Sequence, residues 1–223
     1  MFNKIRAWIA NYIDLSEQLS TVFFGLVMVL TCTLGQAKLV EESEDETYDL
    51  LWGALGCNLA WGIITGIMFI MDEMFARART VAWMRSVRST TGDADALLLI
   101  QDELDSQMEP LTSEQERAGL YQDISRTVKN VEPAPAGFQR GDLIGAICVC
   151  WLVFLTAIPA VVPFLFINDR VLALRLSNLL SIAMLFLVGY CWGRATETNR
   201  WVASLGMTTV GIAAVGIAEA LGG

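Results

Sequence analysis

The chain of 223 residues has no histidine at all. That removes the commonest general base, the usual zinc ligand and the ordinary near-neutral proton switch, so any metal chemistry must rest on carboxylate, thioether, thiol or backbone oxygen. Positive charge is also scarce: 15 Lys and Arg stand against 24 Asp and Glu, for a net charge of −9. Binding to a phosphate backbone needs a basic surface, so nucleic acid is not an expected partner. Cysteines are few, and all five (Cys32, Cys57, Cys148, Cys150 and Cys191) lie within apolar runs. They follow neither a disulfide framework nor a zinc-ligand spacing. There is no Gly-x-Ser-x-Gly run and no pair of acids inside an apolar segment, so the reading is not an enzyme.

Apolar sequence is what the chain has in abundance. Hydrophobic residues make up 54% of it and the mean hydropathy is +0.49, above the range of water-soluble domains. Runs long enough to cross roughly 30 Å of hydrocarbon fall near 19–37, 50–71, 143–167, 174–193 and 201–221. The expected fold class is all-α: a polytopic membrane protein with five transmembrane helices and a cytoplasmic helical insert between helices 2 and 3. The divisions are an interfacial helix over 1–17, transmembrane helices 1 and 2 over 18–71, the acidic insert over 72–140, and transmembrane helices 3 to 5 over 141–223.

An odd number of spans places the termini on opposite sides, and the cations choose the direction. With the N-terminus inside, 12 Lys and Arg are cytoplasmic and 3 (Lys38, Arg170 and Arg175) are outside. With no organelle address visible, this topology suits the bilayer of a bacterial inner membrane with the C-terminus outside, a eukaryotic organelle being the alternative. In the arm "MFNKIRAWIANYIDL", Phe2, Ile5, Trp8, Ile9, Tyr12 and Ile13 recur at spacings of three and four, the pattern of an amphipathic helix lying in the interface. Pro159 and Pro163 predict a kink or an unwound end in the third span.

Polar residues inside the spans are rare. Asn58 stands mid-span beside Cys57 in "LLWGALGCNLAWGIITGIMFIMDEMF", either as a hydrogen-bonding link between helices or as an ion-path ligand. Gly62 and Gly66 in the same span allow close helix approach. Met68, Met71 and Met74, with Asp72 and Glu73, follow at its inner end. Thioether beside carboxylate suits a borderline cation such as Fe²⁺, although methionine is equally an ordinary gap-filler.

No proline or glycine interrupts the second span before "STTGD", so its helix is expected to continue into the insert. "DADALLLIQDELDSQM" then forms a helix that ends at Pro110, with Leu97, Ile100, Leu104 and Met108 as its packed face. Asp102, Asp105 and Glu109 line another stripe. Three acids at such spacing repel one another unless a cation or an arginine such as Arg117 or Arg126 compensates, so the stripe reads either as a solvated face or as a metal-gathering surface. Ser113 followed by Glu116 is a capping box opening a third helix, which accounts for Glu114 and Glu116 without any ligand.

This organisation resembles the vacuolar iron transporter family: five spans, the N-terminus inside, an acidic Met-containing insert after the second span, and the ending "LFLVGYCWGRATETNRWVASLGMTTVGIAAVGIAEALGG". The resemblance implies a homodimer that moves Fe²⁺ or Mn²⁺ out of the cytoplasm, with the ion as cargo and no permanently bound cofactor. On that expectation Asp102, Asp105, Met108 and Glu109 gather the cation, Met71 and Asp72 pass it on, and Asn58 with Cys57 contact it mid-path. The chain departs from the family at two places. Phe24 precedes Gly25 where the family carries an Asp-Gly pair, and "CNLAWGI" stands where it has Ser-Met-Ala-x-Gly-Glu. The usual intramembrane proton carriers are therefore missing. The alternative function is a non-transporting dimeric membrane scaffold or metal-sensing regulator of the same fold.

Overall fold

A computed structural model describes residues 12–35 and 44–221. Of the expected interfacial helix over 1–17, residues 1–11 lie outside the described residues, as does much of the first loop; residues 12–14 are not helical, and Leu15 to Glu17 belong to the first spanning helix. The described residues form seven α-helices and no strand: α1 (Leu15–Gly35), α2 (Glu44–Ser89), α3 (Asp93–Met108), α4 (Glu114–Asn130), α5 (Arg140–Phe166), α6 (Arg170–Ala195) and α7 (Arg200–Ala220). Among the described residues, five segments are long and apolar enough to cross a membrane: Leu15–Thr33, Leu51–Ser89, Arg140–Phe166, Arg170–Ala195 and Arg200–Ala218. The chain is an all-helical polytopic membrane protein.

Two compact units divide the molecule, one of residues 1–70 and 140–223, the other of residues 71–139. α2 runs without a break through both, as its lack of interior breakers after Gly66 requires. In the membrane unit α1 packs on α5, α6 and α7, and α6 packs along α7. Hydrocarbon gives helices no hydrophobic reason to associate, so close backbone approach has to supply the contact. A Cβ on Gly62 would stand 2.7 Å from the Cys150 carbonyl oxygen, and one on Gly66 would stand 2.8 Å from that of Ala146. These two glycines let α2 lie directly on α5. α5 stays helical through Pro159 and Pro163 to Phe166. The unwound end predicted from the prolines does not occur, since Pro163 is buried against neighbouring helices that hold the segment in place.

The second unit is a three-helix core made by the end of α2 with α3 and α4. Val87, Ala96, Ile100, Tyr121 and Val128 are buried together, with Trp83, Leu97, Leu104, Met108 and Ile124 packed around them. The expected face of α3 is thus the one that packs. On α4, Tyr121, Ile124 and Val128 face this core, whereas Leu120 is 38% exposed. α4 begins as its capping box dictates: Glu116 Oε2 accepts from the Ser113 backbone N–H at 3.0 Å and from its hydroxyl at 2.7 Å.

Candidate functional site

In the membrane unit, the chemistry converges on Asn58. It is fully buried at 0% exposure on the face of α2 that carries Gly62. Its Nδ2 lies 3.3 Å from three acceptors: the carbonyl oxygens of Gly25 on α1 and Val153 on α5, and Thr156 Oγ1 on α5. Two amide hydrogens therefore serve three oxygens on two neighbouring helices. Thr156 in turn donates to the Val153 carbonyl at 2.6 Å, so the seam between α1, α2 and α5 is a connected polar knot. Asn58 Oδ1 is buried without a partner among the described residues. A buried acceptor left unpaired costs on the order of 1–3 kcal/mol, which makes this oxygen the atom at the seam best able to accept a cation or a proton donor.

Gly25 is needed for this arrangement, because a side chain there would run into Thr156. Where the family pattern has an acid, Phe24 is instead 44% exposed and meets Trp61 edge to face, with ring centroids 5.5 Å apart. Cys57 is half-buried and is a free thiol. Further along α1, the Thr33 hydroxyl donates to Asn178 Oδ1 on α6 at 2.8 Å. Thr33, Thr156 and Asn178 are polar members that sequence reasoning missed. The signal was faint: single hydroxyls or amides within apolar runs, which cap their own helix as often as they reach a neighbour.

In the second unit the acidic stripe separates residue by residue. Asp105 accepts from the Tyr121 hydroxyl at 3.0 Å and pairs with Arg117 Nε at 3.5 Å, so the anticipated arginine compensation falls on this acid. Burial of Tyr121, reinforced by the Asp105 hydrogen bond and charge, raises the phenol above its ordinary value, with Arg117 acting in the opposite sense. Glu103, not singled out from the sequence, pairs with Arg79 at 3.2 Å. Asp102 and Glu109 are exposed, and neither side chain has a partner among the described residues. Met108 packs into the core of the unit, which places its thioether among apolar side chains. Met71 is 63% exposed and Asp72 is exposed beside it. Among the described residues no three Cys, Asp or Glu side chains converge tightly enough to enclose a metal ion.

Two carboxylates at helix ends are held in their charged form. The Lys129 ammonium, 2.7 Å away, lowers Asp93 by hydrogen bonding and then by charge. The Ser113 backbone N–H, followed by its hydroxyl, lowers Glu116. Both groups serve helix ends and helix pairing.

Comparison with known families finds that residues 102–223 match the sequence profile of the VIT family. Comparison with curated proteins finds no match.

Proposed function

Since the chain belongs to the VIT family, a family of membrane metal-ion transport proteins, we propose that it carries Fe²⁺ or Mn²⁺ out of the cytoplasm as a homodimer with its N-terminus inside, in a bacterial inner membrane. In this reading Asp102 and Glu109 collect the cation, because they are the acids of the stripe whose charge is not already matched. Asp105 holds the insert together through Tyr121 and Arg117, and adds to the local negative field. Met108 shapes the core from which the acids project. Met71 and Asp72, exposed on α2, offer a soft and a hard donor in sequence, a combination that suits a borderline cation. Asn58 Oδ1 is the mid-path oxygen, with Cys57 beside it.

The observation that carries this reading is the unpartnered Asn58 oxygen at the α1–α2–α5 seam. An amide can ligate a cation but cannot carry a coupled proton as an intramembrane acid does. Transport through this seam is accordingly driven by the metal gradient or by a group other than a mid-span carboxylate.

The scaffold or sensor reading is favoured by one specific observation: the Asn58 amide nitrogen is fully engaged in tying helices together. Reconstitution in liposomes separates the two. Transport predicts Fe²⁺ or Mn²⁺ flux above empty vesicles, and predicts that the pair Asp102→Asn with Glu109→Gln raises the half-saturating metal concentration by roughly tenfold through loss of electrostatic focusing. Flux no greater than in protein-free vesicles overturns the transporter and leaves the scaffold.

A further inference from the structure

The end of the membrane unit where α6 turns into α7 carries two arginines that the transport reading does not use. Arg194 and Arg200 flank the connecting turn, both are exposed, and neither forms an ion pair with a described residue. Arg200 instead lies over the Tyr190 ring, 5.7 Å from its centroid, and donates from Nη1 to the Tyr190 hydroxyl at 3.3 Å. Trp201 meets both Tyr190 and Phe186, with centroids 6.1 and 6.0 Å away. Phe186, Tyr190 and Arg194 succeed one another at intervals of four along α6, which puts them on one helix face. On α7, Trp201 and Leu205 repeat that spacing and are 65% and 61% exposed.

From the span interior toward its end, this surface therefore passes from Phe186 and Leu205 through Tyr190 and Trp201 to two guanidinium groups. The gradient matches a phospholipid read from acyl chain to headgroup. Aromatic rings with a polar edge settle at the level of the carbonyls and glycerol. A guanidinium presents a planar fork of donors to phosphate oxygens. Two uncompensated cations beyond the rings call for an anionic headgroup, and basic surfaces between membrane helices serve that purpose. A groove of about 670 Å³ lined by α1, α6 and α7 has no charged residue in its lining, so nothing there selects an occupant.

We infer that Arg194, Arg200, Tyr190 and Trp201 form a binding site for one anionic phospholipid on the α6–α7 surface. The site fixes the short turn between the last two helices against the bilayer. It is independent of the metal path and stands whether or not the protein transports.

The test uses full-length protein in neutral detergent, mixed with equal amounts of phosphatidylglycerol and phosphatidylcholine of the same acyl chains, with bound lipid counted by native mass spectrometry. Wild-type protein is expected to retain phosphatidylglycerol in preference. Arg194→Gln and Arg200→Gln are each expected to weaken that retention by roughly fivefold, and together by about twenty-five-fold. Arg175→Gln, an exposed arginine at the other end of α6, is expected to change nothing. Equal retention of the two lipids, a preference that survives in the double variant, or an equal loss in Arg175→Gln overturns the site. A change in oligomeric mass with unchanged lipid retention assigns the surface to a protein partner and overturns it as well. Because Arg194 has no ion-pair partner to lose among the described residues, its single variant reads binding even if the double variant folds poorly.

Discussion

The membrane unit and the unit of residues 71–139 handle polar groups in opposite ways. In the first, one uncharged amide at Asn58 reaches two neighbouring helices, and "LLWGALGCNLAWGIITGIMFIM" carries no charge before Asp72. In the second, charge is plentiful and is settled pair by pair: Asp105 with Arg117, Glu103 with Arg79, Asp93 with Lys129. Hydrocarbon penalises an ion by roughly 2.5–3.5 kcal/mol at mid-span on insertion scales, whereas water makes an exposed ion pair worth about 0–1 kcal/mol. A neutral hydrogen bond is therefore the polar link that suits mid-span, while the other unit draws its stability from apolar packing and can leave Asp102 and Glu109 without a partner among the described residues.

The largest expected effect tests that last point. Ile100 is fully buried in the second unit, and Ile100→Ala is expected to cost about 3 kcal/mol. In the full chain this appears as hydrogen exchange roughly a hundredfold faster across α3 and α4, with α5 to α7 unchanged. Uniform acceleration in all helices would break the division between the units.

The next effect is in the bilayer. Asn58→Ala removes the donor shared by Gly25, Val153 and Thr156, and is expected to cost about 1–2 kcal/mol, the scale of interhelical polar contacts in membranes. It should lower the detergent melting temperature. An unchanged melting temperature would show that the knot does not hold α1, α2 and α5 together.

The smallest effect concerns protons. Asp93 and Glu116 have folded-state values below their ordinary 3.8 and 4.5, so the unfolded state binds protons first as the pH falls. Their stabilisation is complete above about pH 4.5 and is lost as the pH falls through the lowered folded-state values. Corrected for the intrinsic pH dependence of amide exchange, opening of α3 and α4 should rise on acidification below pH 4, and Lys129→Met should remove the part that Asp93 contributes. A rise of equal size in the variant would deny the pair that role.

Much of this could be read from local sequence. The continuation of α2 to Ser89 followed from the absence of a breaker, the start of α4 from Ser113 and Glu116, and the packed face of α3 from Leu97, Ile100, Leu104 and Met108. The acidic stripe was legible as a stripe, but its division was not, because the Tyr121 hydroxyl that engages Asp105 lies 16 residues away on another helix. Of the kink or unwound end expected at Pro159 and Pro163, the unwound end does not occur, for a related reason: proline's cost in a helix is local, and the packing that offsets it is not.

By itself, the sequence determined the hydrophobic spans, the helix caps and the membership of the VIT family, because these depend on residues a few positions apart and on the composition of whole segments. Only the tertiary structure decided where the Asn58 amide is used, since Val153 lies 95 residues beyond it and which acceptors it meets depends on how closely Gly62 and Gly66 bring α2 onto α5. It likewise set Arg200 over Tyr190 and left Arg194 without a counter-charge among the described residues. A helix prescribes its own faces, but which face meets which is fixed by packing several helices at once.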